Sequence, residues 1–427
     1  MESGLTVETS RLARRLDLTD AVVIGLGSMI GAGVFAAIGP AAKAAGAGLL
    51  LGLVIAAFVA YCNATSSAQL AALYPESGGA YVYGRVRLSP FWGFLAGWGF
   101  VLGKLASCAA MALTFASYAA PAVARPLAVA AVAVLTAVNY FGVHRTARLT
   151  RVLVALVLIA LAMVVVAVLF GGETDPAHLS SLTAAGPYGI FQAAGLLFFA
   201  FAGYARLATL GEEVIEPART IPRAIPLALG ITLVVYAAVA VSALLAVDAA
   251  TLAAAPAPLA TAVEAGRLAM LAPAVRIGAT IASLGVLLSL IVGVSRTVFA
   301  MAANRDLPNF FAAVHPRYRV PHRAEVGVGI LVAAAVAVAD IRSAIGFSSF
   351  AVLTYYGVTN AAALTLDTAQ RRWPPWLAVL GLLGCAAMAF SLPVAAVAGG
   401  GALLVAGAVV FLVRSAARRR PPYRRQP

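Results

Sequence analysis

The sequence predicts an all-α polytopic membrane protein, and three observations predict it. Hydrophobic residues make up 62% of the 427 and charged residues only 11%, with a mean hydropathy of +0.96, a composition typical of membrane-embedded chains. Apolar stretches of roughly 20 residues, the length a helix needs to cross the hydrocarbon core, recur along the whole chain. The basic residues fall almost entirely in alternate connecting segments, as the positive-inside rule requires.

Read in order, the apolar stretches predict twelve transmembrane helices at about 21–45, 47–74, 91–120, 126–142, 152–170, 187–211, 222–247, 274–301, 324–340, 343–366, 374–393 and 394–413. With the N-terminus cytoplasmic, inside segments hold 22 basic residues: Arg11, Arg14, Arg15, Arg85, Arg87, Arg145, Arg148, Arg151, Arg219, Arg223, Arg305, Arg317, Arg319, Arg323, Arg371, Arg372 and six arginines after Val413. Outside segments hold 5, namely Lys43, Arg125, Arg267, Arg276 and Arg342, and Lys104, Arg206 and Arg296 lie within spans. The bias puts both termini inside and makes the span count even, in an integral protein of the plasma or inner membrane.

The net charge of +14 is therefore a topology signal and does not point to nucleic acid. The terminal run RSAARRRPPYRR reads as a solvated tail beside anionic headgroups. Met1 to Thr19 is polar and lacks the apolar core of a cleavable signal peptide. Cys62, Cys108 and Cys385 all lie in apolar spans, as small core residues with neither disulfide nor metal spacing. The longest connections are about 248–273, a short external loop or partial helix, and 302–323.

The first span carries Gly27-Ser28-Met29-Ile30-Gly31-Ala32-Gly33. Three glycines in seven residues weaken a helix where lipid offers the backbone no hydrogen-bond partner. Such a break is tolerated only where the freed groups meet protein, water or a ligand. Close helix packing through small residues is the competing reading. The sixth span carries Phe198-Phe199-Ala200-Phe201-Ala202-Gly203-Tyr204, followed by Gly211, Glu212 and Glu213. Spans one and six open two five-span halves of opposite topology, and paired interrupted helices at corresponding places point to a transporter site.

The chain resembles the amino acid–polyamine–organocation superfamily of secondary transporters. The likeness rests on IGLGSMIGAGVFAAIGPAAKAAG, PESGGAYVYGRVRLSPFWGFLAGW, FFAFAGYARLATLGEEVIEPARTIPRAI and SRTVFAMAANRDLPNFFAAVHPRYRVPHRA, in that order. The resemblance implies a five-plus-five inverted-repeat core with broken helices 1 and 6, plus two extra helices. Residues 1–20 are then a cytoplasmic segment, 21–366 the ten-helix transport core, 367–413 two accessory helices and 414–427 a basic cytoplasmic tail. It implies an amino-acid substrate held between the breaks. Backbone groups of Ile30, Gly31, Ala32 and Gly33 would take its carboxylate; carbonyls of Met29, Phe199, Ala200 and Ala202, beside Gly203, would take its ammonium. Half-helix N-termini favour anions and exposed C-terminal carbonyls favour cations. Phe199 is either an aromatic lid or ordinary core.

Lys104 lies 13 residues after Phe91, roughly 20 Å along the third helix. Near the midplane a lysine costs at least about 2.5–3.5 kcal/mol. Ser107 and Cys108 follow at i+3 and i+4, so one face of this helix carries a polar strip. Three roles compete: a protonatable coupling group, a countercharge to an anionic substrate, and a structural charge. A proton-coupled branch of the resembled family carries a lysine on the fifth helix, where this chain has Val157. No acidic residue lies mid-span, and Gly203-Tyr204 is followed by Ala205-Arg206 where many members of that family place an acid. Basic amino acids and polyamines are therefore disfavoured substrates. Arg206 reads as a structural ion pair or part of a gate, Glu212, Glu213 and Arg219 as a gate or a static clamp, and Arg296 as a snorkelling charge.

The function expected is secondary amino-acid transport by alternating access, proton-coupled and selective for neutral amino acids, without a cofactor. An exchanger, or a transporter-like nutrient sensor without net transport, is the alternative. An enzyme is not expected: HExxH, GxSxG and paired intramembrane acids are missing, and His144, His178, His315 and His322 all lie in loops. With no GxxxxGK[ST] loop, energy must come from a gradient or from exchange.

Overall fold

The computed structural model describes residues 16–74, 78–142, 147–171, 174–204, 207 and 214–419. Those residues are almost wholly helical. In chain order the helices are α1 Leu18–Met29, α2 Gly33–Ala45, α3 Leu49–Leu73, α4 Ala80–Arg87, α5 Pro90–Ala119, α6 Ala124–Tyr140, α7 Ala147–Phe170 and α8 Gly186–Phe201. They continue with α9 Pro217–Ala246, α10 Ala249–Ala254, α11 Pro258–Glu264, α12 Ala272–Ala303, α13 His322–Val338, α14 Ile341–Leu364, α15 Pro375–Ser391 and α16 Val394–Arg419. Eight helical segments among the described residues are long and apolar enough to cross a membrane, and α1 and α15 are shorter apolar helices. The connection at 248–273 folds as α10, α11 and a short 3-10 turn.

Local chemistry sets where the helices start. Asp17 caps α1 by accepting from the Asp20 N–H at 2.7 Å, and Asp340 caps α14 by accepting from the Ser343 N–H at 2.9 Å and hydroxyl at 2.8 Å. Each cap satisfies donors that a helix start leaves open. Pro90, whose missing N–H costs nothing in the first turn, opens α5.

The 30-residue α5 is the central column. It packs chiefly along α12 and α14, while α2 and α3 pack on α8, and α1 packs on α9. This arrangement brings the first-span segment against the sixth-span segment. At one end of the column the short α4 ties helices together. Arg85 pairs with Asp306 just after α12, and the Tyr81 hydroxyl donates to the same carboxylate at 2.6 Å. Burial and that carboxylate push the Tyr81 phenol up to about 12, so it stays a donor. The Tyr355 hydroxyl of α14 accepts from the Ala80 N–H at 2.9 Å. Gly79, at φ +56°, lies under that tyrosine: an added Cβ would sit 2.0 Å from the hydroxyl oxygen. Only glycine meets both demands. At the same end Leu16 forms a parallel bridge with Val214, and Arg151 pairs with Asp20. Arg219 pairs with Glu216 at 3.2 Å on the exposed surface. Arg206, Glu212 and Glu213 lie outside the described residues.

Candidate functional site

Both predicted interruptions are present. α1 ends at Met29, and Ile30 leaves helical geometry at φ −77°, ψ 63° while its N–H still donates to the Leu26 carbonyl at 2.6 Å. The Gly31 N–H folds back onto the Met29 carbonyl at 2.8 Å. α2 restarts at Gly33 with no side-chain cap, and its first closing bond runs from the Ala36 N–H to the Ala32 carbonyl at 3.1 Å. The N–H groups of Gly33, Val34 and Phe35 precede that bond and belong to the positive end of a half-helix. Of the four predicted carboxylate-binding positions, Ile30 and Gly31 thus spend their N–H groups within the break, while Ala32 and Gly33 stand at the half-helix N-terminus. In the sixth span α8 gives way after Phe201 to a 3-10 turn at Ala202–Tyr204.

The two interruptions touch. A Cβ on Gly33 would lie 2.7 Å from the Ala200 Cα, and one on Gly203 would lie 1.9 Å from the Ser28 carbonyl oxygen. Close packing and helix breaking are therefore not alternatives here. The same glycines allow the backbones to meet and weaken the helices where they meet.

One side chain ties the junction together, and sequence reasoning missed it. Tyr236 of α9 is fully buried. Its hydroxyl lies 2.5 Å from the Met29 carbonyl and 3.2 Å from the Ala200 carbonyl. A hydroxyl has one proton to donate, so the two carbonyls share it. Both carbonyls are among those predicted to take an ammonium, and they converge on one oxygen. The signal in the sequence was a tyrosine amid Leu-Val-Val-Tyr-Ala-Ala-Val, since a buried phenol needs a polar partner. Thr232, one turn earlier, packs its hydroxyl near the Met29 sulfur at 3.9 Å.

The remaining predicted residues separate. Phe199 is partly buried, between the fully buried Phe198 and Phe201. Phe198 packs edge-on against Tyr356 at 5.9 Å. Lys104 is half-buried, with its ammonium 5.8 Å above the Phe100 ring. Phe100 in turn meets Tyr355 at 5.2 Å. Ser107 bonds to Ser348 of α14 at 2.7 Å, so the polar strip faces α14. Among the described residues no carboxylate pairs with Lys104, and no hydrogen bond joins it to either break. Val157 is buried in α7.

A cavity of about 730 Å³ opens at the end of the bundle away from α4. It descends along α2 to Phe35, two residues past Gly33. There Tyr118 of α5 meets Phe35 edge-on at 5.7 Å, donates to the Phe35 carbonyl at 3.2 Å and accepts from the Leu259 N–H at 3.3 Å. Phe35 and Tyr118 form the floor of the cavity, and Phe35 follows the first break by two residues.

The family model described as amino acid permease matches residues 20–415. The chain belongs to the amino acid permease family. It is 62% identical over 91% of its length to an uncharacterized transporter of Mycobacterium tuberculosis, covering 88% of that protein. It is 25% identical to the branched-chain amino acid permease of Bacillus subtilis, over 89% of this chain and 88% of the other. It is 28% identical to the chloroplastic cationic amino acid transporter 7 of Arabidopsis thaliana, over 90% of this chain and 71% of the other. This family member is thus an integral membrane protein of a transporter family.

Proposed function

We propose that the chain is a secondary active transporter of neutral amino acids, working by alternating access and driven by protons. The observation that carries this reading is the junction of the two breaks, where the Met29 and Ala200 carbonyls converge on the Tyr236 hydroxyl. The half-helix N-terminus at Ala32–Gly33 supplies a positive pole that attracts a carboxylate. The converging carbonyls supply a negative pole that attracts an ammonium, with Tyr236 satisfying them until an ammonium does. A zwitterion matches both poles at once.

On this reading the helices cross twelve times with both termini cytoplasmic. The core at 21–366 is a five-plus-five inverted repeat, 367–413 are accessory helices, and the predicted substrate residues act through their backbones. The cavity floored by Phe35 and Tyr118 then faces outside, and the Tyr81–Arg85–Asp306 cluster closes the inside. An ammonium at Lys104 that no described acid neutralises supports the coupling role. The name of the B. subtilis relative favours neutral substrates; that of the A. thaliana relative favours cationic ones. The lack of a mid-span carboxylate favours the former.

Flux into proteoliposomes tests this. A proton gradient, acid outside, is expected to drive accumulation of neutral amino acids, with little competition from arginine or lysine. Lys104→Ala should keep exchange but lose accumulation. Lys104→Arg should not restore it, because arginine does not release its proton. Accumulation by either variant would make Lys104 a structural charge. Counterflow without net uptake in the wild type would make the protein an exchanger.

A further inference from the structure

The cavity above Phe35 carries a charge pattern that the central junction does not need. Its charged lining comprises Lys43 at the end of α2, Arg125 at the start of α6, and Asp340 and Arg342 around the start of α14. Cations outnumber acids three to one. The single acid is engaged as the cap of α14, accepting from both the N–H and the hydroxyl of Ser343. Two of the cations donate to neutral groups, although Arg342 also lies in the field of Asp340. Arg125 donates to the Ala337 carbonyl at 3.1 Å, and Arg342 donates one terminal amine to the Gln192 carbonyl oxygen at 3.4 Å. The Arg342 Nε–H is buried without a hydrogen-bond partner among the described residues. A buried guanidinium N–H left open costs free energy unless something pairs with it. The rest of the lining is apolar or hydroxyl-bearing, with Thr114, Ser117 and Tyr118 at its depth. Three of the five basic residues assigned to outside segments thus gather in one concave space. Topology signals alone would leave them scattered round the rim.

Low-dielectric walls focus the field of such a cluster into the cavity. We propose that this vestibule is a carboxylate-loading site. Lys43, Arg125 and Arg342 draw anionic and zwitterionic substrates to the Phe35–Tyr118 floor by the carboxylate and hold cationic substrates back. The inference rests on the transport reading for its purpose, but the site itself is testable without transport. It also puts one layer of selectivity ahead of the central junction, since a substrate lacking a carboxylate is disfavoured before it reaches the breaks.

Charged thiol reagents measure the potential directly. Ala395 is exposed and lines the cavity, whereas the native Cys62, Cys108 and Cys385 are buried, so an Ala395→Cys protein reports against a quiet background. Its reaction rates with an anionic sulfonatoethyl and a cationic trimethylammonioethyl methanethiosulfonate are compared with those of free 2-mercaptoethanol. At low salt the anionic-to-cationic ratio is expected to exceed that of the free thiol on the order of tenfold. It should collapse toward the free-thiol value in high salt and in the Lys43→Gln/Arg125→Gln/Arg342→Gln background. Should Arg342→Gln prevent folding, the Lys43→Gln/Arg125→Gln double variant should lower the ratio by an intermediate amount.

Protection then tests the ligand class. L-leucine and 4-methylpentanoate, which share a carboxylate, should slow labelling of the Ala395→Cys protein; L-leucinamide, which lacks one, should not. A ratio equal to that of the free thiol, or equal protection by leucinamide, would overturn the proposal. Proteoliposomes keep the two readings apart. A biased ratio with carboxylate protection but no amino-acid flux would sink the transport reading alone. Flux with an unbiased ratio would sink the vestibule alone.

Discussion

In the first break the helix stops at Met29 and restarts at Gly33, whereas in the second the described residues show α8 ending at Phe201 in a 3-10 turn over Ala202–Tyr204. The first break therefore exposes the positive start of a new half-helix. The second contributes chiefly carbonyls from a helix that is ending, Ala200 among them. Gly31 faces only the Val286 side chain, whereas Gly33 and Gly203 each leave room for the other segment's backbone, at Ala200 and at the Ser28 carbonyl. The two interruptions thus offer opposite ends of the peptide dipole to one junction.

The contrast breaks first at Gly203. A side chain there meets backbone at 1.9 Å, and backbone cannot rotate away. Gly203→Val is expected to destabilise the protein by about 3 kcal/mol or more. The measurement is thermal unfolding followed by size exclusion in detergent, and unchanged stability would remove Gly203 from the junction.

Gly33 and Gly31 sharpen the comparison at intermediate strength. Gly33→Val meets the Ala200 backbone and should both destabilise, by about 1–3 kcal/mol, and abolish amino-acid binding. Gly31→Val meets only the tip of Val286, whose Cγ2 would lie 2.4 Å away. A rotamer change there costs about 0.5–1.5 kcal/mol, so the variant should fold and yet lose affinity. Binding to the two purified variants, read by isothermal calorimetry, separates backbone contact from packing. Unchanged affinity in folded Gly31→Val would exclude Gly31 from the site.

The finest test of the comparison lies at Tyr236. Tyr236→Phe leaves the Met29 and Ala200 carbonyls without the phenol and should lower the stability of the ligand-free protein by about 1–3 kcal/mol. An ammonium that takes over those carbonyls would recover that loss. The substrate-induced rise in Tm should therefore be larger in Tyr236→Phe than in the wild type. An equal or smaller rise would mean that the hydroxyl stays on the carbonyls when substrate binds.

The first interruption could be read in the sequence because its determinants are local. Three glycines in seven residues weaken a helix whatever surrounds them, and the structure breaks α1 from α2 there. The second break was weakly marked by composition, and its position in the chain was the better guide. Tyr236 could not be found by pattern, because its partners lie 207 and 36 residues away. Lys104 illustrates the converse. Its rarity singled it out, but the described contacts carry its helix face toward Phe100 and Ser348 rather than toward the breaks.

By itself the sequence determined the membrane class, the helical stretches, the first interruption and the family, since each depends on residues near one another along the chain or on overall composition. Tertiary structure alone decided which carbonyls converge, which glycines face a neighbour's backbone, and which basic residues share a cavity. Lys43, Arg125 and Arg342 are spread over 300 residues, and nothing in their local sequence distinguishes them from Arg267 or Arg276. Helix packing gathers the three around one concave space, and the field they make there is a property of that gathering.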